Sequence, residues 1–373
     1  RWRVAGCAFG GGVAYANKGV LCRGMGKVAY VVCILLFVAS GGLHFVGLVA
    51  GVPASRMVMH GNNKATKELG SALEAGIGCI VVDSFDELDR IEALVAQGFD
   101  APQVMIRINP GVDAHTHEYL QTGVADSKFG FGLASGAADA ALGRARRSSA
   151  FDLVGVHAHI GSQVFVVDSF RRAIAALAPF VAALDIAEFS IGGGLGVAYV
   201  TGEQAPTITE WAATVHEACA DAGIEARVTA EPGRSIVAQA ALTLYTVGTI
   251  KEIEGVRTYV AVDGGMSDNP RPVLYGSGYE AFLPRETAAE RPRRVRIVGK
   301  HCESGDVIVH DAVVPMDLSV GDIVATPVTG AYGHTMGSNY NMIRRPPVVF
   351  ARDGVARQVI RRETYEELTQ RDV

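Results

Sequence analysis

The chain has 373 residues, 49% of them hydrophobic, enough for roughly two domains of ~150 residues, each with its own core. Its net charge of −5 is interspersed, with no basic stripe or Lys/Arg block, which excludes nucleic acid as an expected partner and favours a small polar metabolite. Six cysteines (7, 22, 33, 79, 219 and 302) form no CxxC pair and fit no zinc template. Five of them read as reduced core thiols of a cytoplasmic protein, and Cys302 is taken up below.

The chain opens on Arg1 rather than Met, and Gly10, Gly11 and Gly12 interrupt any signal-peptide apolar region. Residues 28–55 contain no Asp, Glu, Lys or Arg, a length that could span a membrane. Ser40, Gly41, Gly42, His44 and Pro53 inside that stretch favour a buried helix–strand–helix passage instead. From the N-terminus onward, short apolar runs predict strands over 13–17, 36–40, 56–60, 79–83, 103–109, 153–160, 187–192 and 226–231. Amphipathic helices are expected between them, at 64–75, 85–97, 169–184 and 209–222. Eight strand–helix units in one run predict an α/β fold, a (β/α)8 TIM-like barrel over residues 13–235.

After Arg234 the texture changes. Val-, Ile- and Thr-rich strands are expected over 242–253, 258–262, 294–298, 307–310, 322–326 and 347–351. Turns such as Asp263-Gly264-Gly265 and Arg352-Asp353-Gly354 separate them, and only residues 363–370 read as a helix. Residues 236–373 therefore read as an all-β C-terminal domain.

Side chains at the carboxyl ends of barrel strands converge on one site. At those ends stand Lys18, then Asn62, Asn63 and Lys64, then His157, His159, Gly161 and Ser162, then Gly192, Gly193 and Gly194, and finally Glu231, Gly233 and Arg234. A glycine run lets backbone N–H groups approach a phosphate, and a guanidinium adds a charged clamp. A lysine can form a Schiff base, and a carboxylate can pair with a pyridinium nitrogen. Lys18, the glycines, Glu231 and Arg234 together read as a pyridoxal 5'-phosphate set, with His159 able to stack on the ring. A rival reading takes His157 and His159 as two metal ligands of a hydrolase, but no His, Cys or Asp at later strand ends completes such a site, so no metal is expected.

In order along the chain stand YANK (15–18), HGNNK (60–64), RINPGVDAHTHEY (107–119), KFGF (128–131), HAHIGSQ (157–163), GGGLG (192–196), EPGR (231–234), DGGMSDNPRPVLY (263–275), CESGD (302–306) and GAYG (330–333). This series resembles the diaminopimelate decarboxylase branch of the alanine-racemase-like, fold type III enzymes, over nearly the whole chain from about residue 13. The resemblance implies decarboxylation of meso-2,6-diaminopimelate to L-lysine, by a homodimer with shared active sites. It implies that Lys18 carries the cofactor, His159 stacks on it, Ser162, Gly193, Gly194, Gly233 and Arg234 hold its phosphate region, and Glu231 faces its pyridine nitrogen. Arg234, Arg271 and Tyr275 would bind substrate carboxylate, and Tyr332 would touch both cofactor and substrate. Cys302 would donate a proton and Glu303 would read the distal ammonium group, both from the partner subunit.

The chain departs from the family pattern in places. The part before YANK is short, and residues 19–55 fit poorly. Phe37 stands where relatives carry an aspartate and Leu43 where they carry a glutamate, while GAYG replaces a GAYC-like ending. A non-catalytic homologue, or a decarboxylase of another basic amino acid, is the alternative.

Overall fold

The computed structural model describes residues 35–112, 122–124 and 126–373, together with a strand at 3–7; for 3–7 and 35–37 it describes the backbone alone. The chain divides into two compact units. The described residues up to Val197, with Ala205–Ser235, make the first; Ala198–Gln204 with Ile236–Val373 make the second.

The first unit alternates strands and helices. In chain order it contains β1 (Arg3–Cys7), β2 (Leu35–Val38), α1 (Gly41–Val49), β3 (Met57–Met59), α2 (Thr66–Glu74), β4 (Cys79–Val82), α3 (Phe85–Ala96) and β5 (Gln103–Asn109). There follow β6 (Phe131–Gly132), α4 (Ala137–Arg147), β7 (Asp152–His157), α5 (Asp168–Ala182), β8 (Glu188–Ser190), α6 (Ile208–Asp221), β9 (Arg227–Ala230) and α7 (Gly233–Val237). Every pairing from β1 through β2, β3, β4, β5, β7, β8 and β9 is parallel, and β9 pairs back onto β1. The ring therefore closes as an eight-stranded parallel barrel, with two-residue β6 attached to the end of β5.

The strands are short and apolar because both faces are covered. Met57, Met59, Ile80, Val82, Ile106, Val156, Phe189 and Ala230 pack outward in one core with Leu69, Leu88, Ile91, Leu142, Phe170, Ile174 and Trp211 of the helices. Residues of the other parity point inward, where Val58, Cys79, Val81 and Met105 form a second, smaller cluster. Three of these helices start where the sequence supplies a cap, Ser40 accepting the N–H of Leu43 at α1. Ser84 Oγ accepts the N–H of Glu87 at α3, and Thr207 with Glu210 forms a reciprocal capping box at α6.

The expected strand at 13–17 lies outside the described residues. The strand that closes the ring lies earlier, at Arg3–Cys7, where Arg3 pairs with Thr229 and Ala5 with Leu35. The apolar stretch 28–55 carries β2 and the nine-residue α1, and among the described residues no helix is long and apolar enough to cross a membrane. Leu43 packs against the outer core, between barrel and helices.

The second unit contains β10 (Leu242–Ile253), β11 (Arg257–Val262), α8 (Arg271–Tyr275), β12 (Arg293–Val298), β13 (Val307–Val314), β14 (Ile323–Pro327), α9 (Gly333–Met336), β15 (Val348–Arg352), β16 (Val355–Ile360) and α10 (Tyr365–Leu368). Five strands form one sheet in the order β13-β12-β11-β10-β14. β15 and β16 form a separate hairpin whose turn places Asp353 and Gly354 at φ +51° and +77°, the left-handed pair that an Asp-Gly turn supplies. Ala198–Gln204, which the sequence pattern assigns to the barrel, segregates with this unit. Tyr199 packs edge-on against Tyr279 at 5.2 Å, and the Thr201 N–H donates to Glu280 at 2.7 Å. The short helices α8 and α9 were not legible as helices in a region patterned for strands.

Candidate active site

The inward-facing positions turn polar toward the carboxyl ends of the barrel strands. His60, Asp83, Arg107, His157, Ser190, Thr229 and Glu231 lie at or near the carboxyl ends of β3, β4, β5, β7, β8 and β9, and all are buried. Glu231 is the hub. Its carboxylate lies 3.2 Å from His157 Nε2 and 3.5 Å from His60 Nε2, and Ser190 Oγ donates to it at 3.3 Å. The two imidazoles pack edge to face with centroids 4.9 Å apart.

Burial alone would raise the Glu231 carboxyl; the imidazoles of His60, His157 and His159, with the His157 hydrogen bond, outweigh it and hold the group below the usual carboxylate range. Desolvation drives the histidines the other way. His60 falls well below its ordinary value, and His159 is pushed down to about 3, with the nearby Arg107 charge adding to burial. The hub is therefore a carboxylate in contact with the buried imidazoles of His60 and His157.

His60, His157 and Glu231 bring one donor atom each within 4.8 Å of one another, a spacing that a metal ion could also use. The pair required by the rival metal reading is not formed in that way, because His159 Nδ1 accepts the N–H of Gly193 at 3.0 Å. His159 is thereby tied to the glycine run.

That run is glycine for a steric reason at each position. A Cβ on Gly192 would stand 2.4 Å from Ala158 O, one on Gly193 2.2 Å from Glu231 O, and one on Gly194 2.1 Å from Gly161 O. Gly192 and Gly194 also take φ of +67° and +105°. The backbone thus lies against the ends of β7 and β9 without side chains between. Beside it Arg234, buried at the start of α7, donates from Nη2 to Ser162 Oγ at 3.0 Å. A guanidinium, a hydroxyl and an open glycine backbone form a donor set suited to a phosphate, and a carboxylate hub suits a protonated ring nitrogen. The residues fit pyridoxal 5'-phosphate.

Lys18 lies outside the described residues. Lys64, the other lysine at a strand end, is fully engaged. Its Nζ donates to Gly61 O at 2.8 Å and Val81 O at 2.7 Å and pairs with Glu87 Oε1 at 2.6 Å, with both side chains buried. Glu87 Oε2 accepts the Asp83 N–H at 3.0 Å. Asp83 pairs with Arg107 at 3.4 Å and accepts the Gly130 N–H, and the Arg107 guanidinium lies 4.4 Å over the Phe129 ring.

In the second unit, Arg271 is 2% exposed. Its Nε donates to Tyr279 Oη at 3.1 Å and its Nη2 to Ser277 Oγ at 3.2 Å, and the guanidinium stands 5.0 Å from the Tyr199 ring and 5.3 Å from the Tyr275 ring. Cys302 and Glu303 sit on the exposed turn between β12 and β13. That turn is pinned to the loop before α8, because Asp306 accepts the N–H groups of Met266 at 2.6 Å and His301 at 2.9 Å. Glu303 accepts the Tyr340 hydroxyl. Tyr332 takes φ +66° at the start of α9.

Thus His159 is hydrogen-bonded to Gly193, which lies against the Glu231 carbonyl, Gly194 lies against the Gly161 carbonyl, and Ser162 is tied to Arg234, all within the first unit, where Gly233 is also buried beside Arg234. Arg271, Tyr275, Cys302, Glu303 and Tyr332 belong to the second unit. Reading strand ends alone missed His60, Asp83, Glu87 and Arg107. The signal for Arg107 was available: a lone charge inside the apolar run 103–109 at the inward parity.

A family model described as "Pyridoxal-dependent decarboxylase, pyridoxal binding domain" matches residues 13–238. A diaminopimelate decarboxylase of Mycobacterium tuberculosis is 42% identical over an alignment covering 100% of this chain and 88% of that protein. One from Bacillus subtilis is 42% identical, covering 97% and 84%. The crystal structure of diaminopimelate decarboxylase from M. jannaschii superposes with a TM-score of 0.84 at 33% identity, covering 91% of this chain and 80% of that one. The Helicobacter pylori diaminopimelate decarboxylase in complex with L-lysine gives 0.83 at 32%, covering 90% and 84%. A parallel barrel with this carboxylate hub and glycine cradle, joined to likeness over nearly its whole length, places the chain in the pyridoxal-dependent decarboxylase family, among the diaminopimelate decarboxylases.

Proposed function

We infer that this chain catalyses the pyridoxal-phosphate-dependent decarboxylation of meso-2,6-diaminopimelate to L-lysine and CO2, the last step of lysine biosynthesis. The observation that carries this reading is the Glu231 carboxylate, held ionised among His60, His157 and Ser190 beside the glycine cradle and Arg234.

Pyridoxal phosphate, when bound, supplies an electron-withdrawing ring that accepts the electron pair left as CO2 departs. Lys18 is the residue proposed to anchor it. Glu231, as an anion in a dry interior, holds a proton on the ring nitrogen, and the His157 and Ser190 contacts fix its orientation. His159, kept neutral, offers its ring face without adding positive charge. Ser162, Arg234, Gly193, Gly194 and Gly233 hold the phosphate.

The substrate carries a carboxylate and an ammonium at each end, so its recognition requires charges of both signs. Arg234, Arg271, Tyr275 and Tyr332 are proposed to bind carboxylate, and Glu303 the distal ammonium group. The guanidinium of Arg271 is preoriented by Tyr279 and Ser277. Cys302 is proposed to return a proton to the carbon that lost CO2. The chain is proposed to act as a homodimer, with Cys302 and Glu303 serving the partner subunit.

Adding meso-diaminopimelate to cofactor-loaded protein and measuring CO2 and lysine tests the reading. Equimolar CO2 and lysine are expected. Release of CO2 from lysine or ornithine instead would reassign the substrate, and no release from any of them would make the chain a non-catalytic homologue.

A further inference from the structure

One group of buried charges lies outside the direct cofactor set. Lys64, just ahead of α2, Glu87, in the first turn of α3, Asp83, at the end of β4, and Arg107, on β5, form a chain of alternating contacts across three neighbouring strand ends. Their exposures run from 1% to 7%. An ion pair removed from water adds little net stability, because desolvation offsets the attraction. What it does supply is direction, since each hydrogen bond fixes one atom against another.

We propose that Lys64 and Glu87 are positioning residues for the cofactor site: through Asp83 they hold the Arg107 guanidinium at the polar end of the barrel interior, where His159 and Glu231 stand. The geometry is specific at each link. All three Nζ donors of Lys64 are used, two on the carbonyls of Gly61 and Val81 and one on Glu87. The first of these carbonyls follows His60, so the same lysine braces the loop that brings His60 to Glu231. The second carboxylate oxygen of Glu87 fixes the Asp83 backbone. The two Asp83 oxygens then divide between Arg107 and the Gly130 N–H, and the Phe129 ring supports the guanidinium from the side.

Arg107 in this place acts by charge. Its cation disfavours protonation of His60 and His159. A displaced Arg107 would let His159 take a proton at higher pH, and a cationic ring would then face the cofactor. This inference rests on reading His159 and Glu231 as the residues that meet that ring.

Glu87→Gln and Asp83→Asn test it in the full holoenzyme. The first breaks the ion pair; the second leaves Lys64 and Glu87 intact and weakens the link to Arg107. Both are expected to lower kcat by about 10-fold with KM changed by no more than about 2-fold, the loss of one preorganised contact. Both are expected to move the acidic limb of the pH–rate profile, and the pH titration of the cofactor's visible absorption, toward neutral pH. A lowered melting temperature with both pH curves unmoved would overturn the proposal, leaving the pair a structural element. If Glu87→Gln does not fold, Asp83→Asn decides alone, and wild-type curves from it overturn the proposal. A wild-type protein that binds no cofactor would fail the functional reading first, whereas an active wild type with unmoved variants would fail this inference alone.

Discussion

His157 places its Nε2 3.2 Å from the Glu231 carboxylate, and both side chains are almost wholly removed from solvent. Two strands that are not neighbours in the ring, β7 and β9, are thus tied through one hydrogen bond across the barrel interior, with Ser190 of the intervening β8 joining them. Replacing Glu231 by Gln keeps the shape and removes the charge. Because only the anion holds a proton on a ring nitrogen, Glu231→Gln is expected to lower kcat by about 100- to 1000-fold, the scale of losing a central electrostatic group. The melting temperature should change little, since a neutral amide suits a buried site. Steady-state kinetics with cofactor titration measures this.

The histidines make stability depend on pH with a definite sign. His159 sits at about 3 in the folded protein against an ordinary 6.5, because burial and Arg107 oppose its protonation. Its contribution is present in full above 6.5 and is lost progressively as pH falls toward 3, because the unfolded chain binds the proton first. His60 acts in the same direction. Urea unfolding at pH 7, 5.5 and 4.5 should show stability falling with pH, and His159→Gln should flatten that slope. A slope unchanged in the variant contradicts the assignment.

Gly193 faces the carbonyl of Glu231 so closely that a methyl group would stand 2.2 Å from it. Gly193→Ala must push β8's exit away from β9 and disturb the N–H that meets His159. Overpacking of this kind costs about 1–3 kcal/mol. The expected outcome is a lower melting temperature and a cofactor affinity reduced by 10-fold or more, read by titration.

Arg271 is held by Tyr279 and Ser277 between two tyrosine rings. A lysine cannot reproduce that planar fork. Arg271→Lys is therefore expected to raise KM for diaminopimelate by about 10-fold or more, as for a lost charged hydrogen bond, while cofactor affinity stays at the wild-type level. An unchanged KM would remove Arg271 from the substrate set.

The barrel and the sheet-rich second unit were legible because strand runs are apolar and spaced by helical patterns; strand β5 falls on the predicted residues 103–109. The closing strand was not. Arg3–Cys7 is five residues without a distinctive pattern, and its place is set by pairing with β2 and β9 rather than by its own composition. Strand-end residues such as Glu231 and Arg234 were readable from barrel geometry. His60, Asp83 and Arg107 each look like a stray polar residue in an apolar run, and only inward parity across three strands gathers them. Lys64 read as one polar residue after the third strand, and its burial with Glu87 depends on a helix packed in space.

Lys18 is proposed to hold a pyridoxal cofactor covalently, with Glu231 and Arg234 gripping it from other strand ends. The visible absorption spectrum of wild-type protein and of Lys18→Ala, each with pyridoxal phosphate added and free cofactor removed, tests it directly. A visible band in the wild type that vanishes in the variant is expected; a band retained in Lys18→Ala would remove Lys18 from that role, and none in the wild type would remove the cofactor.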